Sequence, residues 1–203
     1  MTRKIKRKGD SLIRDALILC GITAVIGLIL GATFKMTKPS IDNGALEAKK
    51  ESYLRSFKGY DVKPGEELAK EMIAKFGEAK DEYNTHVSDG TKMLNADGSE
   101  AGYSFIATSK GYNGDITVSV GINTEGVITG IDIVSMNETA GLGANCTDEE
   151  FKNQFIGKSE AIVINKKPGE SDAGIDAISG ATVTTSAVTR AVNQCFSVYS
   201  SLK

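Results

Sequence analysis

Asp115-Ile116-Thr117-Val118-Ser119-Val120-Gly121-Ile122 alternates apolar and small polar residues without a break. A period of two is the pattern of a strand that buries one face. Upstream, Gly102 to Ser109 is a second candidate strand, joined to the first through Gly111-Tyr112-Asn113-Gly114. Downstream, Thr124-Glu125-Gly126 turns the chain into a third, Val127 to Val134, where Ile131 and Ile133 flank Asp132. Three such strands predict an antiparallel meander with one apolar face. The C-terminal segment supplies a cover for it. Val183, Ala187, Val188, Ala191, Val192, Cys195, Val198, Tyr199 and Leu202 fall on one stripe of a helix from about Val183 to Leu202. The expected class is α+β, an antiparallel sheet packed by helices.

The remaining elements are read from spacing and punctuation. Gly44 to Lys58 predicts a helix with Leu46, Tyr53, Leu54 and Phe57 inward, and Glu66 to Phe76 predicts another. Pro64-Gly65, Asp89-Gly90 and Asp97-Gly98 read as turns. Thr147-Asp148-Glu149-Glu150 has a hydroxyl cap and first-turn acids, so a short helix should run from there to Gly157. Ala161 to Asn165 reads as a short strand, and Lys166-Lys167-Pro168-Gly169 as a loop.

At the N-terminus, Ala16 to Phe34 is 19 residues without a formal charge. At helical rise it covers about 28 Å, close to the ~30 Å of a bilayer core. Residues 1–39 carry eight Lys or Arg and two Asp, a balance of +6, so the remainder carries −8. A basic flank before an apolar run places the N-terminus in the cytoplasm and the body outside the cell (inner) membrane. The run is long for a cleaved signal, and Gly31-Ala32-Thr33 is a mediocre cleavage site. Leu19 is too bulky for a lipid-modified Cys20. The expected organisation is a basic N-terminus at 1–15, a transmembrane helix at 16–34, a linker and helical segment at 35–90, with Thr37 to Asn43 as the linker proper, and a ligand-binding domain at 91–203.

Between the short strand and the last helix lies Asp176-Ala177-Ile178-Ser179-Gly180-Ala181-Thr182. Small residues at a helix entrance leave backbone N–H groups open, and the positive end of the helix dipole favours an anion there. Gly180 permits close approach and Ala181 adds almost no bulk. A phosphate fits this place. Taken alone, Ser179-Gly180-Ala181-Thr182 fits an ordinary helix cap as well.

Together with Glu138-Thr139-Ala140-Gly141-Leu142-Gly143, the segment resembles the flavinylation motif of the FMN-binding domain in the G subunit of Rnf-type electron-transport complexes. The C subunit of the sodium-pumping NADH:quinone reductase carries a related domain. The family pattern is Asp, two residues, Ser or Thr, Gly, Ala, Thr, and Asp176 to Thr182 meets every fixed position. Ala140 stands where the family's second segment has Pro. The resemblance implies a membrane-anchored electron relay with FMN joined through its phosphate to Thr182. It implies that Ser179, Gly180 and Ala181 contact the phosphate, and that Asp176 is read by a flavin transferase or caps its loop. Glu138, Thr139, Gly141, Leu142 and Gly143 are then the candidates for shaping the ring pocket. Implied partners are the membrane, the other subunits of such a complex, and the transferase. The quinone-reductase subunit is the alternative within this class. A flavin-free anchored binding or sensor module is the alternative outside it.

Other chemistry lacks its residues. Cys20, Cys146 and Cys195 form no ligand set for iron–sulfur or zinc, and His86 stands without companions, so no metal and no catalytic residue is expected. Gly141-Leu142-Gly143-Ala144 lacks the strand–turn–helix context of a dinucleotide site. An acidic body argues against nucleic acid. A buried thiol at Cys195 is expected in preference to a bridge with Cys146.

Overall fold

The computed structural model describes residues 8–76 and 81–203. In chain order the elements are helix α1 (Lys8–Arg55), strand β1 (Val62–Glu67), helix α2 (Lys70–Phe76) and strands β2 (His86–Asn95), β3 (Glu100–Lys110), β4 (Asp115–Asn123) and β5 (Ile128–Ser135). A 3-10 turn (Gly143–Thr147), helix α3 (Glu149–Asn153) and helix α4 (Thr182–Leu202) follow. Residues up to Ala48 form one unit and Lys49–Lys203 another.

In the first unit, Arg14–Lys38 is long and apolar enough to cross a membrane, and none of it is buried in protein. Leu17, Leu19, Leu28, Leu30 and Phe34 are all more than 60% exposed, as a lipid-facing surface requires. The hydroxyls of Thr23, Thr33 and Thr37 donate back to carbonyls one turn earlier, at Leu19, Ile29 and Thr33. Their polarity is thus satisfied inside the helix. The expected linker from Thr37 to Asn43 is helical instead. Pro39 removes one donor, but a helix continuing on both sides carries the turn through it.

In the second unit, β1 to β5 form a five-stranded antiparallel meander in sequence order. The central register pairs Phe105 with Val120 and Val120 with Ile131. Ile116, Val118, Val120 and Ile122 are fully buried on one face, under Val188, Ala191, Val192, Cys195 and Val198 of α4. Each such Val or Ile contributes roughly 1.5–3 kcal/mol of burial. Val183, expected on that stripe, is 47% exposed.

The other face of β4 is also covered, which period-two reading does not anticipate. Ser119 donates to the carbonyl of Ser52, Thr129 donates to that of Ser56, and the Ser56 and Ser104 hydroxyls bond at 2.8 Å. Small residues let a helix end approach a sheet this closely, and their polar atoms pair as they are buried. Tyr53 and Phe57 are buried as expected, but Leu46 and Leu54 are exposed; the inward partners are Ser52 and Ser56.

Several readings change for local reasons. Glu66 and Glu67 belong to β1, so the predicted helix begins only at Lys70. Pro64-Gly65 falls at an irregularity of register inside β1, and Asp89-Gly90 directly follows one inside β2, so neither pair reverses the chain. Pro64 is tolerated because β1 is an edge strand. Asp97-Gly98 does turn. Asp148, not Thr147, precedes α3, and the Thr147 hydroxyl donates to Ala144. The strand expected at Ala161 to Asn165 reduces to a single parallel bridge between Ile164 and Ile175. Cys146 and Cys195 are buried free thiols.

Candidate functional site

The last helix begins at Thr182 because the residue before it breaks helical geometry: Ala181 has φ −135° and ψ 44°. Gly180, at φ +73°, makes the turn that delivers the chain to that point. The N–H groups of Thr182, Val183 and Thr184 open the helix and have no carbonyl within it four residues back. They form the positive end of a 21-residue helix.

Three threonines stand at this entrance, and the structure separates them. Thr184 is 1% exposed and its hydroxyl donates to Glu138 Oε2 at 2.5 Å. Thr185 is fully buried; its hydroxyl donates to the Ala181 carbonyl and accepts from the Ile178 N–H. Thr182 is exposed, and among the described residues no hydrogen bond engages its hydroxyl. Only its oxygen is free for chemistry.

Thr182 lines a cleft of about 600 Å³ together with Gly180, Ala181, Val183 and Thr184 on one side. Glu138, Thr139, Leu142, Gly143 and Tyr112 line the other. The two sequence segments predicted to act together are therefore brought together, and one hydrogen bond joins Glu138 to Thr184, 46 positions apart. The volume is that of a small-molecule site. Tyr112, Leu142 and Val183 are 73, 45 and 47% exposed around it, an apolar rim beside open backbone donors. A planar ring with a phosphate tail matches both features.

The remaining predicted residues take distinct places. The Thr139 carbonyl accepts from the N–H groups of Leu142 and Ala144, tightening the segment. Gly141, at φ +74°, supplies the reversal between them and does not line the cleft. Gly143 lines it for a reason of space: a Cβ there would lie 2.6 Å from Glu138 Oε2 and 2.7 Å from Thr184 Oγ1. Asp176 and Ser179 open instead onto a neighbouring cleft, with Asn145, Asp148, Glu150 and Gln154. The Asp176 carboxylate accepts from the Gly169 N–H with both oxygens and from Asn165 Nδ2 at 2.6 Å. It thereby fastens the loop that carries the exposed Lys166 and Lys167.

Sequence reading missed Tyr112, Val183 and the Glu138–Thr184 pairing as parts of the site. An aromatic residue inside the tight turn Gly111 to Gly114 was a signal for the first. Nearby Cys146 is buried, and loss of solvation, followed by the charge of Glu138, pushes its thiol up to about 11. It is held as an inert neutral thiol. Among the described residues no group of three or more His, Cys, Asp or Glu is placed to hold a metal ion.

Known proteins resemble this chain in sequence and in fold. The family described as "FMN-binding domain" matches residues 111–197. The chain is 33% identical over 193 residues to the G subunit of the Na(+)-translocating ferredoxin:NAD(+) oxidoreductase complex of Acetobacterium woodii, covering 92% of this chain and 90% of that one. It is 40% identical over 88 residues to the G subunit of the proton-translocating complex of Clostridium ljungdahlii, covering 43% and 48%. Among solved structures, Shewanella oneidensis NqrC superposes with a TM-score of 0.50 at 24% identity, over 60% of this chain and 63% of that one. That likeness concerns the fold.

Proposed function

The chain belongs to the family of G subunits of ion-translocating ferredoxin:NAD(+) oxidoreductase complexes, and from that premise we propose that it is a membrane-anchored electron relay with FMN covalently attached at Thr182. When bound, FMN supplies reversible acceptance and release of electrons. The chain's own residues do the rest. Thr182 gives the free oxygen, the first N–H groups of α4 meet the phosphate, and Tyr112, Leu142 and Val183 receive the ring. The single observation that carries the attachment site is the exposure of Thr182 beside two threonines whose hydroxyls are buried and bonded.

Attachment forms a bond between Thr182 Oγ1 and the phosphorus of an activated flavin nucleotide. The hydroxyl proton leaves, and the bond to the donor's other phosphate group breaks. A flavin transferase is the partner for that step. In the assembled complex the partners are the other membrane subunits, with electrons entering and leaving through them. The apolar helix anchors the chain in the cell (inner) membrane. The basic flank orients the N-terminus to the cytoplasm and the FMN domain, residues 91–203 with the preceding strands, to the other side.

Co-expression with a flavin transferase, followed by intact mass and in-gel fluorescence, tests the attachment. Thr182→Ala should give no flavin adduct, Thr182→Ser should retain part of it, and Thr184→Ala and Thr185→Ala should keep it. An adduct on Thr182→Ala would sink the assignment. Reporter fusions at the C-terminus should be active only outside the cytoplasm; activity inside reverses the topology.

A further inference from the structure

The cleft has a wall that neither motif contains. Tyr112 sits in the turn between β3 and β4, 73% exposed at the cleft edge. The turn does not hang free. Glu138 Oε1 accepts from the N–H of Tyr112 and the N–H of Asn113, both at 3.0 Å. Glu138 Oε2 accepts from the Thr184 hydroxyl in the first turn of α4. One carboxylate thus joins the β3–β4 turn, the 138–143 segment and the helix entrance.

The surroundings are shaped to admit it. A Cβ at Gly111 would stand 2.6 Å from Glu138 Oε1, and one at Gly143 would stand 2.6 Å from Oε2. Either methyl would push the carboxylate out of its bonds. Three donors converge on one carboxylate, and hydrogen bonds to a carboxylate are the stronger kind. The carboxylate also lies beside the positive end of α4, where a negative charge is favoured. An exposed aromatic side chain held over a cleft by backbone hydrogen bonds is pre-placed to meet a flat partner.

We propose that Tyr112 is the aromatic wall against which the flavin ring packs, and that Glu138 is the positioning residue that holds this wall against the helix entrance. The proposal rests on the reading of this cleft as the flavin site. It moves Glu138 from direct contact with the ring to control of the residue that touches it.

The test uses the full-length flavinylated chain in detergent and time-resolved flavin fluorescence, since an aromatic donor packed on the ring shortens the excited-state lifetime. Tyr112→Leu should lengthen the lifetime, and Tyr112→Trp should restore a short one. Glu138→Ala should move the decay the same way, lowering the ratio of quenched to unquenched flavin roughly two- to tenfold, as expected for weakening one aromatic contact. In the Tyr112→Leu background, Glu138→Ala should add nothing. An unchanged decay in Tyr112→Leu, or an additive effect in the double variant, overturns the proposal. The Tyr112 variants alter an exposed side chain and so decide the wall without risk to folding. If Glu138→Ala does not fold, Glu138→Gln decides the clamp. It keeps a weaker neutral acceptor, so a decay between wild type and Tyr112→Leu is expected, and a wild-type decay refutes the clamp. Leu142→Ala separates the two levels. A response to Leu142→Ala without one to Tyr112→Leu defeats this inference alone. Silence at both positions defeats the placement of flavin in this cleft.

Discussion

Asp176 to Ile178 and Ser179 to Thr182 are adjacent in sequence, yet the first stretch is tied into the protein by side-chain bonds and the second ends on a threonine left open. The Asp176 N–H donates to Gln154 Oε1, its carboxylate holds Gly169 and Asn165, and the Ile178 N–H is taken by Thr185. Beyond Ile178, Gly180 turns, the Ala181 carbonyl takes the Thr185 hydroxyl, and Thr182 faces solvent. A site that must be entered by a modifying enzyme and then hold a cofactor needs both properties. The tied half fixes where the helix begins, and the open half presents the oxygen. A motif read only as a string does not show this division.

The division predicts opposite phenotypes in the two halves. Thr182→Ala should abolish flavin while leaving the melting temperature of the unmodified protein unchanged, because its side chain touches solvent. Asp176→Ala should do the reverse in the first instance. It removes an acceptor of three hydrogen bonds and releases the 165–169 loop, at a cost of about 2–3 kcal/mol in denaturant unfolding of residues 49–203. If flavin is lost from Asp176→Ala with no loss of stability, the carboxylate acts on the transferase directly and the contrast between the halves collapses.

Much of the fold was legible in the sequence, and the reasons for the gaps are physical. β4 and α4 announce themselves because apolar residues recur in them at periods of 2 and 3.6, and β3 and β5 follow as the segments on either side of the turns at Gly111 to Gly114 and Thr124 to Gly126. The entrance at Gly180 to Thr182 is legible because its chemistry is local to a few residues. The cover on the second sheet face is not, because Ser52 and Ser56 at the end of α1 meet Ser104 and Ser119 of the sheet, residue types that read as solvent-facing. β1 is hidden because Pro64-Gly65 signals a turn wherever it occurs, and only the sheet shows that it is a bend in an edge strand. The Glu138 clasp is invisible for another reason. It depends on a pairing across 46 residues, and on two glycines whose importance is the space they leave. Periodicity finds surfaces, local motifs find termini, and neither finds a contact closed by tertiary structure.

The smallest expected effect probes the hinge between the two halves. Thr185 is the residue through which they meet: it accepts from Ile178 in the tied half and donates to Ala181 in the open one. It is fully buried, so Thr185→Val preserves the volume but leaves the Ile178 N–H without a partner and the Ala181 carbonyl with one fewer donor. The Thr185 N–H still reaches the Ala181 carbonyl at 3.0 Å, so that acceptor is not orphaned. The net loss is then one partly buried amide, about 1–3 kcal/mol, placed toward the low end because water reaches the site and the helix start survives. Flavin attachment at Thr182 should persist. Hydrogen exchange is the sensitive readout: the Ile178 amide should lose protection while amides in the middle of α4 do not. Uniform loss of protection along α4 would show that the halves are not separable, and that the opening at Thr182 is part of the same cooperative unit as the anchor at Asp176.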